Sequence, residues 1–280
     1  MLSETNKEKV LKIINEATDA GASQFKPSIR AVYGQSEKQQ PYHIGSCIFL
    51  SIKSKKYLLT VAHIIDESKD TPLYINGVGN ELVCIQYRFI LTNRPALGRE
   101  ADMYDFAWAH LSDESIKLCG ENDFIPEEKF TDGTENPKGR IYLALGYPCS
   151  KNKPNVFKKT ITPAYFRYAD IVKNDETLCK KLKVSGAEHL FFNYNFKHSM
   201  NDKGDLINSI EPRGLSGGVL VDMGKFVDWH KSADKPTGKL AGMIFMKHED
   251  RNTIVAVKIG AIVNLIKQRQ TEDSKGISGH

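Results

Sequence analysis

The sequence predicts an all-β chain of two barrels or sandwiches, with helices only at its ends. Short β-rich runs fill residues 31–119 and resume at 140. Helical periodicity is confined to the two termini, and a polar, turn-rich stretch divides the halves.

Thr5 and Glu8 have the spacing of a capping box, and Val10, Leu11, Ile14 and Ala17 recur at helical spacing up to Gly21. An amphipathic helix of about four turns is expected there, with "GASQFKPS" after it as a linker. The runs "IGSCIFLSI", "KYLLTVAHII", "LYINGV", "ELVCIQYRFIL" and "DFAWAHL" then read as strands, each bounded by Gly, Asn, Asp or Lys turns. "GENDFIPEEKFTDGTENPKG" (120–139) is the connector. Strands are expected again at "RIYLALGYP", "KKTITPAYFRYADIV", "HLFFNYNF", "GGVLVDM", "KLAGMIFM" and "NTIVAVKI". "AIVNLIKQRQ" closes the chain as a terminal helix ahead of a polar tail.

With 280 residues, 40% hydrophobic and 26% charged, the chain has ordinary globular composition and room for two modest domains. Its charge of +5 is mild and scattered. The basic patches "KSKK" (53–56) and "CSKNKPNVFKK" (149–159) lack the interleaved aromatics of a nucleic-acid groove, so neither nucleic acid nor membrane is expected as a partner. No apolar run approaches the roughly 18 residues that span a bilayer. The N-terminus has early acidic residues and no continuous apolar core, unlike a secretory signal. Cysteines 47, 84, 119, 149 and 179 show no paired spacing, so no disulfide framework, zinc site or other cofactor follows. A reducing cytoplasm is the simplest compartment.

Three short motifs carry chemistry. "TVAHII" sets His63 inside an apolar run, where a core histidine is the bland reading. "RGLSGGVLVD" (213–222) sets Ser216 among glycines. Formally it satisfies G-x-S-x-G, but a strand-like segment follows where the α/β-hydrolase elbow needs a helix. A serine hydroxyl needs an imidazole to take its proton, the imidazole needs a carboxylate to fix its tautomer, and the resulting oxyanion needs converging backbone N–H groups that glycine can aim. "DMYDFAWAHL" supplies the carboxylate, because Asp105 opens an apolar run where an unpartnered acid is expensive to bury.

"YLLTVAHII", "DFAWAHL" and "GLSGGVLV", in that order, resemble the histidine, aspartate and serine segments of trypsin-like peptidases of the chymotrypsin fold. The similarity is greatest to the cytoplasmic, HtrA/Deg-like branch and covers roughly residues 42–269. It extends to "IGSCIFLSIKSKKYLLTVAH", "YLALGYP", "GKLAGMIFM" and "AVKIGAIVNLIKQ". The resemblance implies two six-stranded antiparallel β-barrels. An N-terminal helix and linker would occupy 1–30, the first barrel and connector 31–137, the second barrel and C-terminal helix 138–270, and a flexible tail 271–280. It implies a serine endopeptidase acting on protein or peptide substrates. His63 would be its general base and then acid, Asp105 the orienting carboxylate and Ser216 the nucleophile, with the N–H groups of Gly214 and Ser216 as the oxyanion hole. His63 would stand at a strand end and face Ser216 across the junction of the barrels. Alignment with the family's pocket strands puts Phe245, Met246 and Lys247 on one wall, Ile254 near the other and Ile210 at the base, with Glu211 one residue out of register.

The chain also departs from the family. Ile64 stands where secreted members carry a bridged cysteine, which leaves Cys47 without that partner. Neither an activation terminus of the Ile-Val-Gly-Gly type nor a PDZ module is expected from these residues. "INSIEPRG" replaces the usual Asp-Ala lead-in to the serine loop. The rival expectation is therefore a catalytically silent or partner-activated scaffold that binds a protein through the N-terminal helix or the 151–213 insertion.

Overall fold

The computed structural model describes residues 5–152, 163–173, 176–195, 197, 199–201, 203, 205–229, 237–248 and 252–277. Part of the strand expected at 158–172 lies outside these residues.

The chain is mostly β, in two large sheets. The first contains β1 (Ile29–Gln35), β2 (Pro41–Ile52), β3 (Lys55–Val61), β4 (Tyr74–Asn76), β5 (Leu82–Cys84), β6 (Ile90–Leu91) and β7 (Phe106–His110). They run in the order β5-β4-β1-β2-β3-β7-β6 with antiparallel pairing, and β8 (Ile125–Pro126) adds to β2 in parallel. The second contains β9 (Arg140–Gly146), β10 (Phe166–Asp170), β11 (Val172–Lys173) and β12 (His189–Asn193). A separate two-stranded ribbon, β13 (Ser199–Met200) with β14 (Leu206–Ile207), precedes its remaining strands: β15 (Val219–Lys225), β16 (Lys239–His248) and β17 (Thr253–Lys258). The order is β10-β9-β15-β16-β17-β12-β11, antiparallel throughout. Its two edge strands, β10 and β11, are joined by Ile171 alone, so the sheet curls back on itself into a nearly closed barrel. With eight and seven strands, the sheets exceed the six apiece that were expected.

Helices are not confined to the ends. Besides α1 (Asn6–Phe25) and α6 (Ile259–Ile277), short helices α2 (Ala62–Asp66), α3 (Asp113–Cys119), α4 (Glu176–Leu182) and α5 (Phe226–Trp229) sit between strands. They are too short for a 3.6-residue period to show against strand-like apolar runs.

The capping box of α1 forms, with Thr5 and Glu8 satisfying each other's backbone N–H groups. The helix passes through Gly21 and ends at Phe25, so the expected linker is its last turn followed by a 3-10 turn at Lys26–Ser28. Packing overrides glycine's poor helix propensity here. A Cβ on Gly21 would lie 2.7 Å from the Met223 side chain of β15, so the glycine lets α1 press onto the second sheet. Arg167 of β10 holds the same helix through Thr18 (2.7 Å) and Asp19 (3.1 Å).

The tail expected from 271 is likewise helical as far as Ile277. The side chain of Thr271 donates to the Lys267 carbonyl, and Arg269 pairs with Glu272 one turn on. Lys267 also pairs with Glu127, and Gln270 donates to the Tyr57 hydroxyl, so α6 ties the second sheet to the first.

The hinge between the sheets is Ser46 of β2, which is fully buried. Its N–H donates to the Ser216 carbonyl (2.8 Å), its hydroxyl donates to the Gly214 carbonyl (3.1 Å), and that hydroxyl accepts from the Tyr147 N–H (3.0 Å). The segment around Ser216 is thereby held at the junction of the two sheets.

Candidate active site

The hairpin between β2 and β3 turns at Lys53 and Ser54, both with positive φ (46° and 66°), as a two-residue primed turn requires. β3 then delivers the chain to Val61, which is extended (φ −83°, ψ 145°), and α2 begins at Ala62. His63 therefore lies in the first turn of a short helix, rather than at the strand end expected. Pairing of β3 with β7 puts Val61 opposite Phe106, so Asp105, just before β7, meets the start of α2.

Asp105 makes three hydrogen bonds there. Its carbonyl accepts from the Ala62 N–H (3.1 Å), Oδ1 from the His63 N–H (3.0 Å) and Oδ2 from His63 Nδ1–H (2.6 Å). With Nδ1–H donating to Asp105, the ring nitrogen that faces away from the acid is Nε2. Asp105 is buried and adopts φ = +41°, a left-handed backbone that costs a non-glycine residue about 1–2 kcal/mol. An ion-pair cluster braces the loop. Arg99 donates to Asp66 at the end of α2 (3.0 Å) and to Asp102 (2.7 Å), and Asp102 also accepts from the Thr92 hydroxyl and the Tyr104 N–H.

Ser216 stands in a double turn, with the Leu215 N–H donating to the Pro212 carbonyl and the Gly218 N–H to that of Leu215. Gly214 and Gly217 have φ of +92° and +82°. A Cβ at Gly217 would fall 1.8 Å from the Ser46 carbonyl oxygen, and one at Gly214 would fall 2.8 Å from Cys149 and His43, so side chains are excluded at both positions. Among the described residues, the N–H groups of Gly214 and Ser216 donate no hydrogen bond. The Ser216 hydroxyl donates to the Phe245 carbonyl at 3.3 Å, and no hydrogen bond joins it to His63.

A cavity of about 260 Å³ opens beside Ser216, lined by Glu211, Pro212, Arg213, Leu215, Ile244, Met246 and Ile254. Met246 and Ile254, expected as pocket residues, line it. Phe245 is buried behind the serine and packs its ring on His189. Ile210 uses its carbonyl to accept from the Tyr194 hydroxyl and is not in the lining. Lys247 pairs through the backbone with Ile254 in the β16–β17 ladder. Among the described residues, no three His, Cys, Asp or Glu side chains are grouped to hold a metal ion, and no helix is long and apolar enough to cross a membrane.

No protein-family model and no curated protein matches this chain.

Several residues of the site escaped sequence reasoning. Nothing in "HIGSC" marked Ser46 as the link between sheets, or His43 as the wall behind Gly214. His43 Nδ1 lies 3.2 Å from Cys149 Sγ, and its ring meets Tyr33 edge-on. Burial pushes the His43 pKa down to about 4, against an opposing backbone hydrogen bond at Gly45. In the unfolded chain the ring takes up its proton near pH 6.5, while the folded chain resists protonation until about pH 4. The unfolded state therefore binds more protons across that window, and stability falls as pH drops through it. Between pH 7 and 4.5, denaturant unfolding is expected to lose about 2–3 kcal/mol through this group. His43→Phe should remove that share of the acid sensitivity. Equal losses in wild type and variant would show that His43 is not held neutral.

Proposed function

We propose that this chain is a serine endopeptidase whose two sheets are the barrels of a chymotrypsin-type fold. The observation that carries the reading is the clasp of His63 by both oxygens of buried Asp105, on the same junction that seats Ser216 between two positive-φ glycines. Nothing in simple packing calls for an acid in a left-handed conformation aimed at a partly exposed imidazole.

In this reading the Ser216 hydroxyl leaves the Phe245 carbonyl and turns to His63. Nε2 takes its proton as Oγ attacks the scissile carbonyl carbon, while Nδ1 keeps its own proton in the hydrogen bond to the Asp105 carboxylate. The unspent N–H groups of Gly214 and Ser216 receive the oxyanion. Collapse breaks the C–N bond, and His63 passes the proton to the departing amine. Water then repeats the sequence on the acyl-enzyme, activated by the same imidazole, and frees Ser216. The substrate is a peptide or protein, and the reading keeps the reducing, cytoplasmic placement inferred from the cysteine pattern.

A second reading rests on the Ser216–Phe245 hydrogen bond. A nucleophile turned away from its base suits a silent scaffold, or a peptidase that a protein partner activates. A fluorophosphonate probe tests both. Covalent label on wild type but not on Ser216→Ala supports the peptidase, and absence of label under all conditions supports the scaffold.

The cavity predicts specificity. Leu215, Ile244, Met246 and Ile254 give it apolar walls, so small or medium apolar residues are expected before the scissile bond in a peptide-library profile. Burying a lysine or arginine there would require a paired acid, and among the described residues Glu211 is the only carboxylate in the lining. A dominant Lys/Arg signal that Glu211→Gln abolishes would refute the apolar pocket.

A further inference from the structure

Among the described residues, His189 is the one fully buried histidine outside the clasp that touches both halves of the site. It lies on β12, is 2% exposed, and belongs to the second sheet. Its Nε2 is 2.9 Å from the carbonyl of Met103, two residues before Asp105 on the first-sheet side. Its Nδ1 is 3.2 Å from the Ser185 carbonyl, in the loop that precedes β12. Both neighbours are acceptors, and the shorter contact is the one in which Nε2–H donates to the Met103 carbonyl. The ring faces are also engaged: the Tyr104 ring lies 5.2 Å away and the Phe245 ring 6.1 Å away, centroid to centroid. Tyr104 is fixed in turn by its hydroxyl, which donates to Glu188 at 2.5 Å.

These contacts converge on one task. Asp105 holds a strained φ, and a strained residue persists only where its surroundings over-determine it. Arg99, Asp102 and Thr92 secure the loop from within the first sheet, whereas His189 reaches it from the second. The same ring backs Phe245, whose carbonyl holds the Ser216 hydroxyl. We propose that His189 is a positioning residue that clamps the Met103–Asp105 turn to the second sheet and so sets the acid and histidine in register with the serine. The proposal rests on the peptidase reading for its kinetic consequence but not for its structural one.

Two substitutions separate the donor from the bulk. His189→Phe keeps an aromatic ring between Tyr104 and Phe245 and removes both ring nitrogens. His189→Gln places an amide N–H where Nε2–H stands. Two readouts are taken on the full chain: kcat and KM for a fluorogenic peptide, and the downfield proton resonance of His63 Nδ1–H, which reports the His63–Asp105 bond without any turnover. The expected result for His189→Phe is a drop of about 10²-fold in kcat with little change in KM, since small misplacements cost rates of that order. The His63 signal should shift or broaden, and His189→Gln should return both readouts close to wild type. Thermal unfolding identifies a variant that has merely lost its fold, and the glutamine variant then carries the comparison. Wild-type kcat and an unmoved resonance in His189→Phe would overturn the proposal, as would a glutamine variant that is folded yet as impaired as phenylalanine. If wild type cleaves nothing and takes no fluorophosphonate, the peptidase reading fails, and the resonance alone still decides whether His189 holds the acid loop.

Discussion

Ser216→Ala is expected to lower kcat by about 10⁴–10⁶-fold while leaving thermal unfolding almost unchanged. The second half of that expectation comes from the structure. The hydroxyl makes a single long hydrogen bond, to the Phe245 carbonyl, whereas the turn itself is held by backbone groups of Leu215, Gly217 and Gly218 and by Ser46. Alanine retains every one of those. On the peptidase reading, His63→Ala should cost a similar factor, and the double variant little more than either alone, because a nucleophile without its base and a base without its nucleophile are equally idle. Rates measured with a fluorogenic peptide decide it. Losses that multiply in the double variant would mean that the two side chains do not act as one unit.

Asp105→Asn should cut kcat by about 10⁴-fold with the fold intact. Asparagine tolerates the left-handed backbone at this position at least as well as aspartate does. Its amide, however, can present a donor toward Nδ1, which favours the tautomer with the proton on Nε2 and leaves no base facing the serine. Asp102→Asn, three residues earlier, should behave in the opposite way. Asp102 is buried against Arg99, Thr92 and the Tyr104 N–H, with no contact to His63. Loss of its charge leaves Arg99 partly uncompensated, so the damage falls on stability, on the order of 3 kcal/mol by analogy with other broken buried pairs. Side-by-side measurements of kcat and Tm test the contrast, and exchanged effects would identify Asp102 as the acid.

The order of His63, Asp105 and Ser216 along the chain was legible because each stands out against its neighbours: a titratable ring in an apolar run, an acid opening a strand, a serine among glycines. Thr5 and Glu8 were legible because a capping box is a local device. Contacts remote in sequence were not. Gly21 looked like a helix stop, since the Met223 side chain that it accommodates comes two hundred residues later. The tail looked flexible because its polar composition hides the partners that Lys267 and Gln270 find on the first sheet. α2 was hidden because five residues fill little more than one helical turn. The cavity beside Ser216 is lined by Met246 and Ile254, which alignment of β16 and β17 had pointed to, and also by Leu215 and Ile244, which enter through the shape of the serine turn that no periodicity records.

The ladder that shapes the serine turn also fixes when the site can exist during synthesis. His63 and Asp105 belong to the first sheet, whose last strand ends at Pro126, and domains nearer the N-terminus fold first on the ribosome. The serine turn, by contrast, is closed from β16, with the Gly217 N–H donating to the Ile244 carbonyl and the Ile244 N–H donating back to Gly218. A growing chain thus holds the acid and the imidazole well before it holds either the His189 ring that reaches their loop or the serine turn. On the peptidase reading, the unfinished polypeptide is harmless to its neighbours by the order in which it is made, and dormancy during translation needs no removable segment.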